Sequence, residues 1–324
     1  MHLLVCGGAG YVGSHVALIL HRHGHTVTVL DNLSTGHAEA VRWGPLLKAD
    51  LRNEAELDRI FSAIRFDAVL HLCARSLVSE SLINPYDYYE NNVQGTLTLL
   101  RTMHRHGVDK IVFSSTAAVY GRPHADVIDE DHRKSPINPY GASKLVVERI
   151  LEDAAQAYGL RSVSLRYFNA AGAAYSEGIG ESHHPETHLI PNVLRAITEP
   201  ETPLKIHGLD YPTPDGTCIR DYVHTLDLAA AHLRALDLIE HSEGAHAYNL
   251  GSGTGFSVLE VIQAAERVTG MTVQWETAPR RAGDPPVLVA SNHRAHMALG
   301  WTQEFSSIEQ VISSAWQWHL DRRY

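Results

Sequence analysis

Three groups of residues in this 324-residue chain have the types and spacing that chemistry requires. The first is Gly7-Gly8-Ala9-Gly10-Tyr11-Val12-Gly13, which follows the apolar run Leu3-Leu4-Val5-Cys6 and precedes a helical pattern. Gly8, Gly10 and Gly13 fit GxGxxG, while Gly7, Gly10 and Gly13 fit GxxGxxG. Either set lets backbone approach a pyrophosphate at a helix N-terminus. Asp31 follows the β-branched run Thr26-Val27-Thr28-Val29-Leu30. A carboxylate there accepts hydrogen bonds from an adenosine ribose and repels a 2′-phosphate, so the cofactor implied is NAD, not NADP. Asp50 with Leu51, after the third apolar run, is a further candidate for the adenine end. The second group is Tyr140 and Lys144, whose i,i+4 spacing puts a phenol and an ammonium on one helix face. A neighbouring ammonium and a cationic nicotinamide ring would stabilise phenolate and bring the tyrosine toward use as a general base. The third is Ser114-Ser115-Thr116 at the end of the strand Lys110-Ile111-Val112-Phe113, where a parallel sheet presents hydroxyls to ligands.

The elements that must position these groups alternate. Apolar runs predict strands near 2–6, 26–30, 45–49, 67–72, 109–114 and 161–167. Between them, three- and four-residue apolar spacing predicts helices near 11–23, 53–64, 86–106 and 138–158. The βαβα order calls for a parallel sheet covered on both faces, a doubly wound α/β fold of the Rossmann type. After about residue 170 the rhythm breaks into a Gly-, His- and Glu-rich loop from Gly172 to His188 and a Pro/Gly/Asp-rich stretch from Gly208 to Gly216. A helix near 225–240 and a strand near 246–250 would rejoin the first sheet. Residues 256–324 read as a mixed α/β tail, so the second unit is discontinuous.

Composition excludes several classes. Apolar residues make up 44% and charged residues 20%, too apolar for a disordered chain. A net charge of −10 disfavours nucleic acid and anionic membrane surfaces as partners. No apolar run approaches the roughly 18 residues of a membrane span, and the first residues are too short for a signal segment. Cys6, Cys73 and Cys218 lack metal-site or disulfide spacing, so a cytoplasmic protein is expected. The 22 histidines do not by themselves call for metal. His21, His23 and His25 suit a helix C-terminus. His183, His184 and His188 read as a solvated loop or as a contact from His188 to a nucleotide, in preference to zinc. Asp129, Glu130 and Asp131 read as an exposed turn.

These motifs, continued by others, make the chain resemble the extended short-chain dehydrogenase/reductase family and, within it, the enzymes that epimerise UDP-hexoses at C4. The similarity runs nearly the full length. It includes Glu90-Asn91-Asn92-Val93, Ser114-Ser115 through Val119-Tyr120-Gly121, and Arg166-Tyr167-Phe168-Asn169. It continues through Asp210-Tyr211-Pro212-Thr213, Asp215-Gly216-Thr217, Arg220-Asp221-Tyr222-Val223-His224, Tyr248-Asn249-Leu250-Gly251, and Pro279-Arg280-Arg281 with Gly283-Asp284. The resemblance implies Thr116, Tyr140 and Lys144 as the catalytic trio. Around NAD it implies Gly7, Gly10, Tyr11, Val12, Gly13, Asp31, Asn32, Ser34, Asp50, Leu51, Leu72, Cys73, Ala74 and Ser76. Asn92, Ser114, Tyr140, Lys144 and Phe168 complete that set. For UDP-galactose or UDP-glucose it implies Thr116, Tyr140, Asn169, His188, Leu189, Lys205, Ile206, His207, Arg220, Tyr222, Arg281, Asp284 and Leu288. The arginines suit a diphosphate, which is matched by planar, permanently charged forks. An NAD-binding unit of 1–170 plus about 223–253, a UDP-sugar-binding unit of 171–222 and 254–324, no metal, and a homodimer through the helices near 86–106 and 138–158 are the remaining expectations.

Three positions depart from the family pattern. Ser76, beside Arg75, stands where a lysine often reaches the cofactor, His207 where an aromatic often packs on uracil, and Leu288 where the sugar pocket carries either Tyr or a small residue. Leu288 leaves N-acetylated hexoses open as substrates. A 4,6-dehydratase would need an Asp-Glu pair directly after Thr116, where Ala117-Ala118 stand. A noncatalytic NAD sensor would have no use for Tyr140, Lys144 and a diphosphate clamp.

Overall fold

Alternating apolar side chains in the first strand set the architecture: Leu3 and Val5 enter one core while Leu4 and Cys6 enter another. A strand buried on both faces needs helices on both sides. The computed structural model describes residues 1–281 and 284–324, so Gly283 lies outside the described residues. Its strands are β1 (His2–Cys6), β2 (Thr26–Asp31), β3 (Leu46–Lys48), β4 (Ala68–His71), β5 (Lys110–Thr116), β6 (Val127–Ile128) and β7 (Arg161–Tyr167). They continue with β8 (Asn169–Ala171), β9 (Leu204–His207), β10 (Ile219–His224), β11 (Ala245–Leu250), β12 (Gly255–Ser257), β13 (Trp275–Ala278) and β14 (Val287–Ala290). The first helices are α1 (Tyr11–Arg22), α2 (Glu54–Ala63), α3 (Val78–Ile83), α4 (Pro85–Tyr88), α5 (Gly95–Arg105) and α6 (Pro139–Tyr158). After these come α7 (Leu189–Thr198), α8 (Thr225–His241), α9 (Val258–Thr269), α10 (His293–Leu299) and α11 (Ile308–Leu320).

Seven strands form one parallel sheet in the order β3-β2-β1-β4-β5-β7-β11, a Rossmann-type doubly wound fold. The order reverses at β1, so the crevice between β1 and β4 opens at their carboxyl ends, where such sheets take ligands. The expected strand near 246–250 does join this sheet, beside β7. A smaller sheet runs β12-β10-β14-β6, with β8 also on β10, and β13 pairs β9 separately. A third core gathers Ile190, Val193 and Leu194 of α7, Val261 and Ile262 of α9, and Val311 and Ile312 of α11 around Tyr222.

Two regions differ from the sequence reading. Where the pattern predicts one helix over 86–106, residues Tyr89–Gln94 are π-helical between α4 and α5. The wider turn buries Asn92, at 3% exposed, beneath the loop after β4. Tail residues Ala295, Leu299 and Trp301 pack into the first core with α8, not with the rest of 254–324.

The elements around the hydroxyl strand are joined by a buried ion pair. Arg166 on β7 donates to Glu148 on α6 through Nε at 2.9 Å and Nη2 at 2.7 Å, with side chains 2% and 4% exposed. Ser115 on β5 donates to the same carboxylate at 2.6 Å. Arg166 also donates to the Tyr120 hydroxyl at 2.8 Å, and Tyr120 donates to Asn249 on β11 at 2.6 Å. Glu130 is buried as well, accepting the Asn249 N–H at 2.8 Å, so the turn 129–131 is exposed at Asp129 and Asp131 alone. Removing one member strands a buried charge, which typically costs about 3–5 kcal/mol. Glu148→Gln is expected to lose about that much in denaturant unfolding at pH 7, and Glu148→Leu combined with Arg166→Met to recover most of it.

Candidate active site

The glycine turn is fixed by contacts that leave no room for side chains. Gly7 has φ +83°, and a Cβ there would lie 2.7 Å from the Cys73 nitrogen. On Gly13 a Cβ would lie 2.0 Å from the Gly7 carbonyl oxygen. Gly7, Gly10 and Gly13 therefore let the β1 end, the loop after β4 and the N-terminus of α1 meet backbone to backbone, a cradle into which a pyrophosphate fits. Gly10 is the residue before α1 and makes no side-chain cap, so the first N–H groups of the helix face the turn. Val12 packs against the first core, and the Tyr11 hydroxyl donates to Gly172 O at 2.5 Å, tying the loop after β8 over this helix.

Asp31 ends β2 at 7% exposed, accepting from Ala9 N at 3.1 Å and Leu33 N at 2.9 Å. Burial pushes its carboxyl up, and these two N–H groups pull it back. Asn32 donates to Asp50 Oδ2 at 2.9 Å, and its own side-chain oxygen accepts from Ser34 N at 2.9 Å. The Arg52 guanidinium forks onto Asp50 at 2.9 and 2.8 Å and holds its carboxyl well below the usual range. Asp50 thus braces the loop after β2 and is already engaged by protein; Leu51 is buried in the second core. Leu72, Cys73 and Ala74 are half-buried and Ser76 is exposed on the next loop. Asn92 accepts from Arg75 N at 2.9 Å, donates to Arg75 O at 3.0 Å and to Ser143 Oγ at 3.0 Å, fastening that loop to α6.

At the end of β5 the Thr116 hydroxyl accepts from Ala118 N at 3.2 Å. Asn138 caps α6 by accepting from Gly141 N at 2.8 Å, and Pro139 takes the first helical position, so Tyr140 and Lys144 start the helix beside β5. Gly141 is needed because a Cβ would meet Ala118 O at 2.4 Å. Burial pushes the Tyr140 phenol up and the Thr116 hydroxyl lowers it. Tyr88 packs edge-on against it at 6.5 Å. Lys144, 2% exposed, donates to Ser114 O at 2.7 Å, and its ammonium sits 4.7 Å from the Phe113 ring centroid. Burial pushes it down to about 7. For the Tyr140 phenol burial outweighs the Thr116 hydroxyl, and their net effect is to hold the proton on Tyr140.

Pairing of β10 with β8 and β14 brings Asn169, Arg220 and Leu288 into neighbouring strands. Phe168 packs on Val119 and Tyr120, with Leu288 in the same cluster. Asn169 donates to Asp221 O at 2.8 Å, next to Arg220. Arg220 is paired with Asp284 at 2.9 Å, its side chain 12% exposed. Arg281 is exposed, while its neighbour Arg280 pairs with Asp210 at 2.6 Å and lies 4.2 Å from the Tyr211 ring centroid. Leu189 opens α7, and the His188 ring before it turns to Glu181. Lys205 faces solvent beside Glu276, and His207 pairs with Pro279 O at 3.1 Å. Ile206 and Tyr222 are in the third core, so neither side chain is presented on the surface. Sequence reasoning missed the Ser115–Glu148–Arg166 support and Asp221, which is fully buried and accepts from Ser252 N and Ala290 N at 2.6 and 3.0 Å. The signal was present in Glu148, one turn after Lys144 on the face that meets β5.

A family model described as the NAD dependent epimerase/dehydratase family matches residues 3–251. A UDP-glucose 4-epimerase of Halalkalibacterium halodurans is 49% identical over 321 residues, 99% of this chain and 96% of that protein. Among solved structures, UDP-glucose 4-epimerase from Brucella ovis in complex with NAD superposes with a TM-score of 0.94 at 45% identity, covering 97% of each chain. The enzyme of that name from Bifidobacterium longum in complex with NAD+ and UDP gives 0.93 at 37% identity, covering 99% of this chain and 98% of that one.

The buried ammonium has a stability consequence with a definite sign. Below about pH 7 Lys144 stays charged in the fold and its full desolvation cost is present; the cost fades as pH rises toward 10.5, where the unfolded chain also loses the proton. Lys144→Met is expected to raise Tm by several degrees at pH 6.5, with the gain shrinking steadily by pH 9.5, as scanning calorimetry of both proteins across that range checks.

Proposed function

The chain belongs to the NAD-dependent epimerase/dehydratase family, and on that premise we propose that it interconverts UDP-galactose and UDP-glucose through a 4-keto sugar, as an isomerase with bound NAD. The observation that carries the reading is the Tyr140–Lys144 turn of α6 set against Thr116 at the carboxyl end of β5. NAD, when bound, supplies reversible oxidation at C4′ of the hexose. Gly7, Gly10 and Gly13 give its pyrophosphate a backbone cradle, Asp31 takes the ribose, and Phe168 and Asn92 border the nicotinamide end. Tyr140 accepts the C4′-hydroxyl proton with Thr116 beside it, and returns it when the keto sugar has turned over. Lys144 orients the phenolate and offsets its charge. Arg220 and Arg281 hold the diphosphate, so the hexose alone rotates, with Asn169, Leu189, the 205–207 strand and Leu288 bounding the space. Asp284, which now pairs Arg220, keeps that guanidinium extended.

The cofactor unit of this reading is 1–170 with about 223–253, joined by α10, and the UDP-sugar unit is 171–222 with the remainder of 254–324. Three free cysteines suit a reducing cytoplasm. Among the described residues no helix is long and apolar enough to cross a membrane. A homodimer is supported by side chains left in water: Leu82 is 61% exposed, Ile83 77% and Tyr86 85%, on α3 and α4, which pack beside α6 with its exposed Val146.

Purified protein is expected to convert UDP-galactose to UDP-glucose without added reductant, and Tyr140→Phe to slow this by about a hundredfold or more while UDP binding persists. Chromatography of the products checks it; a 4-keto-6-deoxy sugar as stable product would replace the reading with a dehydratase. UDP-N-acetylgalactosamine belongs in the same assay, with Leu288→Ser expected to raise its share of turnover. For the assembly, light scattering should give twice the chain mass, falling to one chain in Leu82→Asp/Ile83→Asp with circular dichroism unchanged.

A further inference from the structure

The loop between β8 and α7 gathers four ligating side chains at one point. Glu181, His183, Glu186 and His188 each present one donor atom there, and these atoms all lie within 4.8 Å of one another. The Glu181 side chain is 7% exposed, and a carboxylate so far from water needs partners, here the two imidazoles. His183 Nδ1 lies 3.2 Å from Glu181 Oε1 and 3.6 Å from Glu186 Oε2, and His188 Nδ1 contacts the same Glu181 oxygen. With metal–ligand bonds of about 2.0–2.1 Å, donors of a tetrahedral site stand about 3.3 Å apart, so the His183 separations already have that edge length. The two imidazole planes are perpendicular, with centroids 5.4 Å apart, which lets both aim a ring nitrogen at one centre. Glu186 is held in place by its other oxygen, which accepts from Thr187 N at 2.7 Å and His188 N at 2.9 Å.

We propose that Glu181, His183, Glu186 and His188 form a structural zinc site. Zinc displaces the imidazole protons, and two carboxylates with two neutral imidazoles then balance its divalent charge. The mixed nitrogen and oxygen donors select zinc over magnesium and calcium, which prefer oxygen alone. Four protein ligands leave no open position for catalysis, so the ion is a clamp. Its partners explain what it clamps: His183 meets the Tyr11 ring edge-on at 6.0 Å, Trp318 of α11 donates to Glu181 O at 2.8 Å, and His188 is the residue before α7. The helix after the glycine turn, the C-terminal helix and α7 thus converge on one loop. His184 and His188 are exposed, as a solvated loop would have them, while Glu181 beside them is buried, which is a tertiary fact. The inference does not depend on the reaction proposed above.

Chelator-treated protein, loaded with zinc chloride alone and desalted, tests this by plasma mass spectrometry. The expected result is one zinc per chain, falling below about a fifth of that in His183→Ala/His188→Ala of unchanged circular dichroism, and retained in the control His21→Ala/His23→Ala. Glu186→Gln, which keeps the side-chain shape, replaces the double variant should that not fold, and is expected to lose most of the zinc too. Thermal unfolding should rise by several degrees with zinc relative to chelator in wild type and not in the variant, and magnesium should give no rise. Wild type that takes up no zinc, or equal zinc in wild type and loop variants, overturns the proposal.

Discussion

The buried pairing of Arg166 with Glu148 is the interaction on which the geometry of the site depends. It joins α6, which carries Tyr140 and Lys144, to β7, and through Ser115 and Tyr120 to β5 and the β11 edge. A bidentate ion pair has a narrow range of acceptable angles, and in this low-dielectric interior a misaligned charge is expensive. Replacing it by apolar residues would preserve contact without fixing rotation of α6 about its axis. Thr116 and Tyr140 belong to different elements, and a turn of that helix by one residue would carry the phenol away from the hydroxyl.

Around this frame the protein sets charge against solvation. Lys144 is buried on an aromatic face with one carbonyl to receive it, and burial pushes it down to about 7. Tyr140 is held protonated by its own surroundings. Both groups are thus poised to respond to charge brought in by a ligand, at a cost in stability. The glycine turn uses sterics in place of charge: Gly7 and Gly13 permit contacts between backbone segments that any Cβ would forbid.

The histidines show how little a residue count decides. His15, His71, His224 and His232 are fully buried, and burial pushes them down to about 4, 3, 3 and 4. They serve as neutral hydrogen-bonding pieces: His224 stacks on Phe305 at 3.8 Å and meets Ser314 at 2.9 Å, and His232 meets the Tyr167 hydroxyl at 2.9 Å. The charge of the chain near neutrality therefore varies less with pH than 22 free imidazoles would imply.

Local sequence determined the parallel strands, the glycine turn and the Tyr140–Lys144 face, because each rests on short-range periodicity or on backbone freedom that one residue type alone provides. Asp31 was legible for the same reason, standing at the end of a β-branched run. Tertiary structure decided what depends on contacts distant in sequence. Glu130 sits in an acidic turn yet is buried against β11, 119 residues away. Arg280 and Arg281 are adjacent, alike in sequence and both exposed, yet Arg280 lies against the Tyr211 ring and pairs with Asp210. The π-helical segment around Asn92 and the packing of Trp301 into the first core are equally invisible to local pattern, since hydrogen bonding and burial there are set by partners from other elements. Side-chain environment is a property of the assembled layers, and no spacing rule within one segment carries it.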